Sequence, residues 1–334
     1  MNTPIRAVIF GLGNQAFEHL DASVGHADVQ IIAGIDGNTN RHKEVCERFG
    51  ELNLQCFQSL DELKKSGLVF DALILALPHD VYGSIWADIL VLGKPLLKEK
   101  PLGRDYQEAK TFMDTAHKAH CGLQTAIQRR QHASYQFLVQ FLQENKIKIQ
   151  ELHAHLHLGK GLQVPTDEPD LKWRGDRQKA GGGALLDAGY HLVDLVQFIV
   201  GDFDVVSATM YNGMQVDNGI DIEDRSWLMG CTPDVWIMLD TWVKGEPNDK
   251  GGFAKSEAVE LLTDKGLLRA NREGVWQDDV QIFATESKWQ EAMRRQLTDF
   301  ANNIRTQNWH TDVIWHQLPA MRTIDKAYWL SKSY

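Results

Sequence analysis

Asp187 and His191 stand four residues apart in "GGGALLDAGYHLVD", residues 181–194. Four residues make one helical turn, so the carboxylate and the imidazole share a face. Histidine, with an ordinary pKa of about 6.5, suits proton transfer at neutral pH, and a carboxylate can orient or polarise it. The same stretch is apolar at Leu185, Gly189, Leu192, Val193, Val196, Ile199 and Val200, which follow the helical period. The pattern predicts a helix that packs on one side and presents Asp187, His191 and Asp194 on the other. The second chemical stretch is "LLKEKPLG", with Lys98, Glu99 and Lys100 at the end of an apolar run and Pro101 holding the chain behind them. An ammonium can stabilise a developing alkoxide, and a desolvated lysine can itself serve as the base. Two assignments therefore stand open: His191 moves the proton and Lys100 steadies the oxygen, or the reverse.

These side chains need elements to hold them. The first part of the chain alternates short apolar runs with helical periods: "RAVIF", "VQIIAGID", "DALILALP", "KPLLKEKP" and "GLQTAIQRR" read as strands, separated by amphipathic segments. Such alternation predicts a parallel sheet covered by helices on both faces. Past about residue 125 the runs "ELHAHLHLG", "FDVVSATMY", "DRSWLMG", "DVWIMLDTWV", "EAVELLT" and "GLLRAN" follow a polar, proline-containing loop at 163–180 and the Asp187 helix. They predict an α+β domain with a large, mostly antiparallel open sheet. The expected division is residues 1–124, a doubly wound nucleotide-binding domain, and residues 125–334, a substrate-binding and oligomerisation domain.

The first strand runs into "GLGNQA". Gly11 and Gly13 permit a tight turn, and the helix that opens at Asn14 and Gln15 offers backbone N–H groups and a positive dipole end to a pyrophosphate. Asp36 ends the second strand, 23 residues after Gly13. A carboxylate there accepts ribose hydroxyls and repels a 2′-phosphate, which favours NAD. Arg41, five residues on, opposes this weakly, since an arginine can hold that phosphate and leaves NADP open. Gln128 and Arg130 end the last strand of the first domain, at the edge where ligands gather. Trp173 and Arg174 offer an aromatic face and a bidentate donor suited to a polyol or an anionic sugar. His153, His155 and His157 line one face of a strand, but the rise of about 3.3 Å per residue spreads them too far to share one ion, so no metal site is expected. His157, next to the following loop, is placed within reach of a substrate.

The chain carries a formal net charge of −10, which argues against nucleic acid as a partner. Four scattered cysteines without a C-x-x-C pair suit reduced thiols in the cytoplasm. Neither a signal peptide nor a membrane anchor is legible at the start, and no apolar run is read as a membrane span.

Taken in order, "GLGNQA" (11–16), "EKP" (99–101), "QRR" (128–130), "WR" (173–174) and "GGGALLDAGYHLVD" resemble the glucose–fructose oxidoreductase / inositol dehydrogenase (Gfo/Idh/MocA) family over nearly the whole chain. The resemblance implies a nicotinamide-dependent dehydrogenase or reductase that interconverts a secondary alcohol and a ketone on a sugar, an inositol or a derivative. It implies that Lys100, Asp187 and His191 meet at the nicotinamide. It also brings Leu77, Pro78, His79 and Glu99 to the cofactor, although Tyr82 stands in this loop where many relatives carry histidine. Relatives commonly pair through the C-terminal sheet, so a homodimer or homotetramer is expected. Two other functions share the fold: an NAD-dependent glycosidase, and a non-catalytic NAD- or sugar-sensing regulator, against which the retention of all three polar residues argues.

Overall fold

The apolar runs of the first part become strands that bury most of their side chains. β1 (Ile5–Phe10), β2 (Val29–Ile35), β3 (Gln55–Phe57), β4 (Ala72–Leu75), β5 (Leu96–Glu99) and β6 (Leu123–Ala126) form one sheet in the order β3-β2-β1-β4-β5-β6. Every pair in it is parallel. β4, β5 and β6 are buried at every position, as a sheet covered on both faces requires. The chain is a computed structural model in which residues 3–158, 169–213, 221–243, 255–286, 289–309 and 317–332 are described. The polar loop expected at 163–180 enters this description only at Pro169.

Contacts divide the chain into two compact units. The first holds this sheet together with α1 (Asn14–Ser23), α2 (Thr39–Arg48), α3 (Leu60–Ser66), α4 (Tyr82–Leu90), most of α5 (Tyr106–Lys118), and a helix that arrives late in sequence, Trp289–Thr306. That late helix buries Met293, Leu297, Phe300 and Ala301 in one core with Ala16, Phe17 and Leu20 of α1. Its Arg294 donates to the carbonyls of Ala22 and Val24 at 2.8 and 2.7 Å, and Arg305 pairs with Asp28 at 2.8 Å. A linear division at 124/125 misses this return of the chain.

The second unit is built on eight strands, β7 (Ile149–His157), β8 (Asp204–Tyr211), β9 (Arg225–Cys231), β10 (Trp236–Trp242), β11 (Ser256–Thr263), β12 (Gly266–Asn271), β13 (Gly274–Gln277) and β14 (Val280–Ala284), in the order β14-β13-β12-β11-β7-β10-β9-β8. All neighbours are antiparallel except β7 and β10. Against this sheet pack α6 (Ala133–Glu144), α8 (Tyr190–Val200) and the C-terminal helix Leu318–Ser331, while the short α7 (Arg177–Ala180) leads toward α8. Leu152, Ala154 and Leu156 of β7 and Ile237, Leu239 and Thr241 of β10 turn inward, and the alternate residues turn outward. The run Arg177–Val200 is long and apolar enough to cross a membrane by length and composition, but 72% of its apolar window is buried inside the protein. It is a core helix, and its apolarity reflects packing on two sides.

Candidate active site

In the first unit the strand order reverses between β1 and β4, and ligands of such sheets bind beyond the strand ends there. Gly11 leaves β1 with φ +91° and lies so close to β4 that a Cβ would overlap the Ala76 carbonyl. Only glycine meets both conditions. At Gly13 a Cβ would meet nothing within 4 Å, so the backbone there faces open space. No side chain caps α1 at Gly13, which leaves the N–H groups of the first turn, at Asn14 and Gln15, for an anion. Asp36 accepts from the Leu12 and Asn38 amides, both at 2.8 Å. Each carboxylate oxygen keeps a second lone pair for a ribose hydroxyl. Arg41 is held by Glu44 at 2.8 Å, and His42 bonds the Asp36 carbonyl at 2.7 Å. Gln128 is buried, and its Oε1 has no hydrogen-bond partner among the described residues. An open cradle, an uncapped helix start, an anchored carboxylate and an orphaned amide oxygen together fit a dinucleotide.

Leu77, Pro78 and His79 follow β4 and are half-buried. Tyr82 of α4 closes this end of the strand: its hydroxyl donates to the Leu75 carbonyl at 2.9 Å and accepts from the Leu77 amide at 3.1 Å. Burial pushes this phenol far above its ordinary pKa, so it stays protonated. Glu99, at the end of β5, is 6% exposed. It meets His19 of α1 at 2.7 Å and accepts the Lys100 amide at 3.2 Å. Lys100 itself is half-buried. His19 was not legible in the sequence as a site residue, since its partner lies 80 positions away.

In the second unit the three glycines have a structural reason. A Cβ on Gly181 would press on Arg104, one on Gly182 on the Tyr328 hydroxyl, and one on Gly183 on the Glu223 backbone. The segment after them is not plain α-helix. Leu185–Gly189 forms a π-turn that leads into α8, a distortion often found at functional sites. Asp187 lies in the π-turn and is half-buried, while His191 opens α8 with 8% exposure. Arg174 stacks on Trp173 with its guanidinium carbon 4.7 Å from the ring centroid, and reaches Asp187 at 3.5 Å. Asp187, Arg174 and Trp173 thus form one polar and aromatic group.

Asp194 does not share that group. It is fully buried and pairs with Arg130, whose Nε lies 2.9 Å away, while Gln317 donates to it at 2.5 Å. Arg130, expected to contact substrate, is 3% exposed with its guanidinium turned to Asp194. His157 corrects a second expectation. Strand alternation puts it on the outer face with Asp240, at 2.9 Å, and Trp242. Thr241, on the opposite face of β10, is the residue a side chain at Gly189 would touch, so His157 is turned away from the helix that carries Asp187. Among the described residues no group of three or more His, Cys, Asp or Glu side chains could hold a metal ion.

The first unit is thus a dinucleotide-binding domain of the doubly wound type, joined in one chain to a unit built on an open mixed sheet. Residues 5–127 match the oxidoreductase family with an NAD-binding Rossmann fold, GFO_IDH_MocA, and residues 136–237 match the GFO/IDH/MocA C-terminal domain. The chain belongs to the Gfo/Idh/MocA family of oxidoreductases. Levoglucosan dehydrogenase of Pseudarthrobacter phenanthrenivorans is 27% identical over 139 residues, 41% of this chain and 34% of that protein. The chain thus spans about a third of the length of that relative, and 58% of a second one. Among solved structures, levoglucosan dehydrogenase in complex with NADH and levoglucosan superposes with a TM-score of 0.84 at 17% identity, covering 99% of this chain and 98% of that one. KijD10, a 3-ketoreductase from Actinomadura kijaniata in complex with NADP and TDP-benzene, gives 0.79 at 19% identity, with 99% and 98% covered. At these identities the structural likeness carries the fold.

Proposed function

We propose that the chain is a nicotinamide-dependent oxidoreductase that interconverts a secondary alcohol and a ketone on a sugar or sugar derivative, with NAD as its cofactor. The observation that carries this is the first-unit crevice: an open glycine cradle, an uncapped helix start, and a ribose-accepting carboxylate at Asp36. Gly11, Gly13, Asn14, Gln15, Asp36 and Gln128 are assigned to the cofactor, with Leu77, Pro78, His79 and Glu99 shaping its nicotinamide end. Arg41 is already paired with Glu44, which supports NAD over NADP. When bound, the nicotinamide ring accepts or gives the hydride. The chain's part is the proton. His191 takes it from the alcohol or returns it to the ketone, and Lys100 steadies the charge that develops on the oxygen. Asp187, paired with Arg174 at 3.5 Å, serves to orient the polar group. Trp173 and Arg174 offer the ring face and the donor that a sugar or polyol needs. The names of the relatives, a levoglucosan dehydrogenase and a 3-ketoreductase, support a sugar-derived substrate.

The outer face of the second sheet exposes Trp227, Trp236 and Leu262, with His153, His155 and His157 between them, and supports a homo-oligomer paired through this face. The activity is tested by titrating the protein's tryptophan fluorescence with NADH and NADPH, then screening a panel of sugars and polyols for NADH formation. NADH is expected to bind more tightly than NADPH, and Lys100→Ala and His191→Ala are each expected to lower turnover by roughly 10²-fold. Failure of wild type to bind either cofactor overturns the reading.

A further inference from the structure

Lys98 is 1% exposed, and it lies inside a parallel strand whose other residues are Leu96, Leu97 and Glu99. An ammonium placed there loses its water, a cost that a leucine at the same position would avoid. Its surroundings show what offsets that cost. Nζ donates to the carbonyl of Glu99 at 3.1 Å and to the carbonyl of Pro101 at 2.7 Å. It sits 3.8 Å from the centroid of the Tyr82 ring and 5.9 Å from that of Phe112. A cation over a ring face is attracted by the ring quadrupole, more so when desolvated.

The two carbonyls that Lys98 holds belong to the residues on either side of Lys100. The amide of Lys100 is held in turn by the Glu99 carboxylate, which His19 anchors to α1. The Tyr82 ring under the ammonium ends in the hydroxyl that ties Leu75 to Leu77. One buried cation therefore joins the turn that carries Lys100 to the loop that carries Leu77, Pro78 and His79. We propose that Lys98 is a positioning residue: a buried cationic clamp, seated on Tyr82, that fixes the backbone on both sides of Lys100 and so sets where the Lys100 ammonium is presented. At 1% exposure Lys98 is out of reach of any substrate, so its effect is exerted through Lys100. The functional half of this assignment rests on the reading of Lys100 as a substrate contact; the clamp itself is testable without it.

The test compares wild type, Lys98→Met and Lys98→Gln in the full chain. Each is first checked for a cooperative thermal transition and an unchanged far-UV circular dichroism spectrum. Lysines are then acetylated with trace acetic anhydride at neutral pH, and the rate at Lys100 is read by mass spectrometry against the exposed Lys64 and Lys65 of α3 in the same molecule. A clamp predicts that the Lys100 ratio changes by about ten-fold in both variants, the shift expected when hydrogen bonds from a charged donor are lost. It also predicts faster amide exchange confined to the peptide over 97–104. For a sugar found to support NADH formation, kcat falls while the Kd for NADH, read by fluorescence, stays within two-fold. An unchanged Lys100 ratio in folded Lys98→Met and Lys98→Gln overturns the clamp. If wild type binds no NADH while the ratio still shifts, the clamp stands and the oxidoreductase reading fails. If both variants fail to fold, Tyr82→Leu, which removes the ring and leaves Lys98, takes their place: an unchanged Lys100 ratio there overturns the proposal.

Discussion

Replacing Glu223 should loosen the turn that carries Asp187, by an amount the structure allows to be worked out. Glu223 is 3% exposed. A single oxygen, Oε1, accepts the amides of Gly183 and Leu185, both at 3.0 Å, and the hydroxyl of Tyr328 at 2.6 Å. It thus supplies the acceptor that the start of the π-turn lacks within its own backbone. Glu223→Ala leaves three buried donors without a partner, each costing about 1–3 kcal/mol. Against this stands relief from holding a buried carboxyl, whose pKa burial raises above its usual 4.5. The net expectation is a loss of about 3 kcal/mol, because relaxation of the donors and the relief both reduce the sum.

Glu223→Gln keeps an acceptor for all three donors and should lose less than about 1 kcal/mol. The pH dependence has a definite sign. A carboxyl with a raised folded pKa contributes most below its unfolded pKa of 4.5 and loses that contribution as pH rises toward the folded value. The glutamine variant should therefore gain on wild type between pH 5 and pH 8. Urea unfolding followed by tryptophan fluorescence at both pH values measures the difference, and amide exchange at Leu185 and Asp187 localises it, with about 10²-fold faster exchange expected in the alanine variant. An alanine variant within 1 kcal/mol of wild type at pH 8, or a glutamine variant as damaged as the alanine one, refutes the reasoning.

Two further outcomes follow from buried or paired charges. Burial alone would raise the Glu257 carboxyl, but Arg129 and Arg272 hold it down to about 2 from 4.5, so its contribution of about 3 kcal/mol is present above pH 4.5 and lost as pH falls toward 2; far-UV circular dichroism against pH should show the acid transition of wild type flattened in Glu257→Gln. Glu44→Gln releases Arg41 from its 2.8 Å ion pair and should tighten NADPH binding by about three-fold with NADH unchanged, the scale of a surface pair, as read by fluorescence titration.

Much of this was legible because period and composition report burial. The parallel strands of the first sheet stood out as apolar runs, and G-x-G-x-x-A marked the turn from β1 into α1. β3 escaped because three residues, "QCF", carry no period. α6 escaped because "ASYQFLVQFLQE" mixes polar and aromatic residues without a clean stripe. The π-turn was invisible, since inserting one extra residue per turn leaves the i, i+4 spacing of Asp187 and His191 unchanged in the sequence. Strand alternation did contain the placement of His157: Leu152, Ala154 and Leu156 claim the inner face, so the odd-numbered histidines face out.

The residues hardest to read were charged ones whose partners are remote in sequence. His19 and Glu99 are 80 positions apart, and Glu223 reaches Gly183 across 40; no local pattern encodes either meeting. Lys98 is different, because "PLLKE" does contain its signal. A lysine within a strand that must be buried on both faces has to find acceptors nearby, and in so short a strand the nearest are the carbonyls of the turn that follows. The Lys-Glu-Lys run then reads as two opposite solutions to burial: Lys98 turned inward onto backbone carbonyls and an aromatic ring, and Lys100 carried by the turn those carbonyls shape. Glu223 does for the π-turn what Lys98 does for this turn. In each case a buried polar side chain is committed to the backbone beside a residue proposed for the site, so substitutions that remove its hydrogen bonds should disturb that residue's placement.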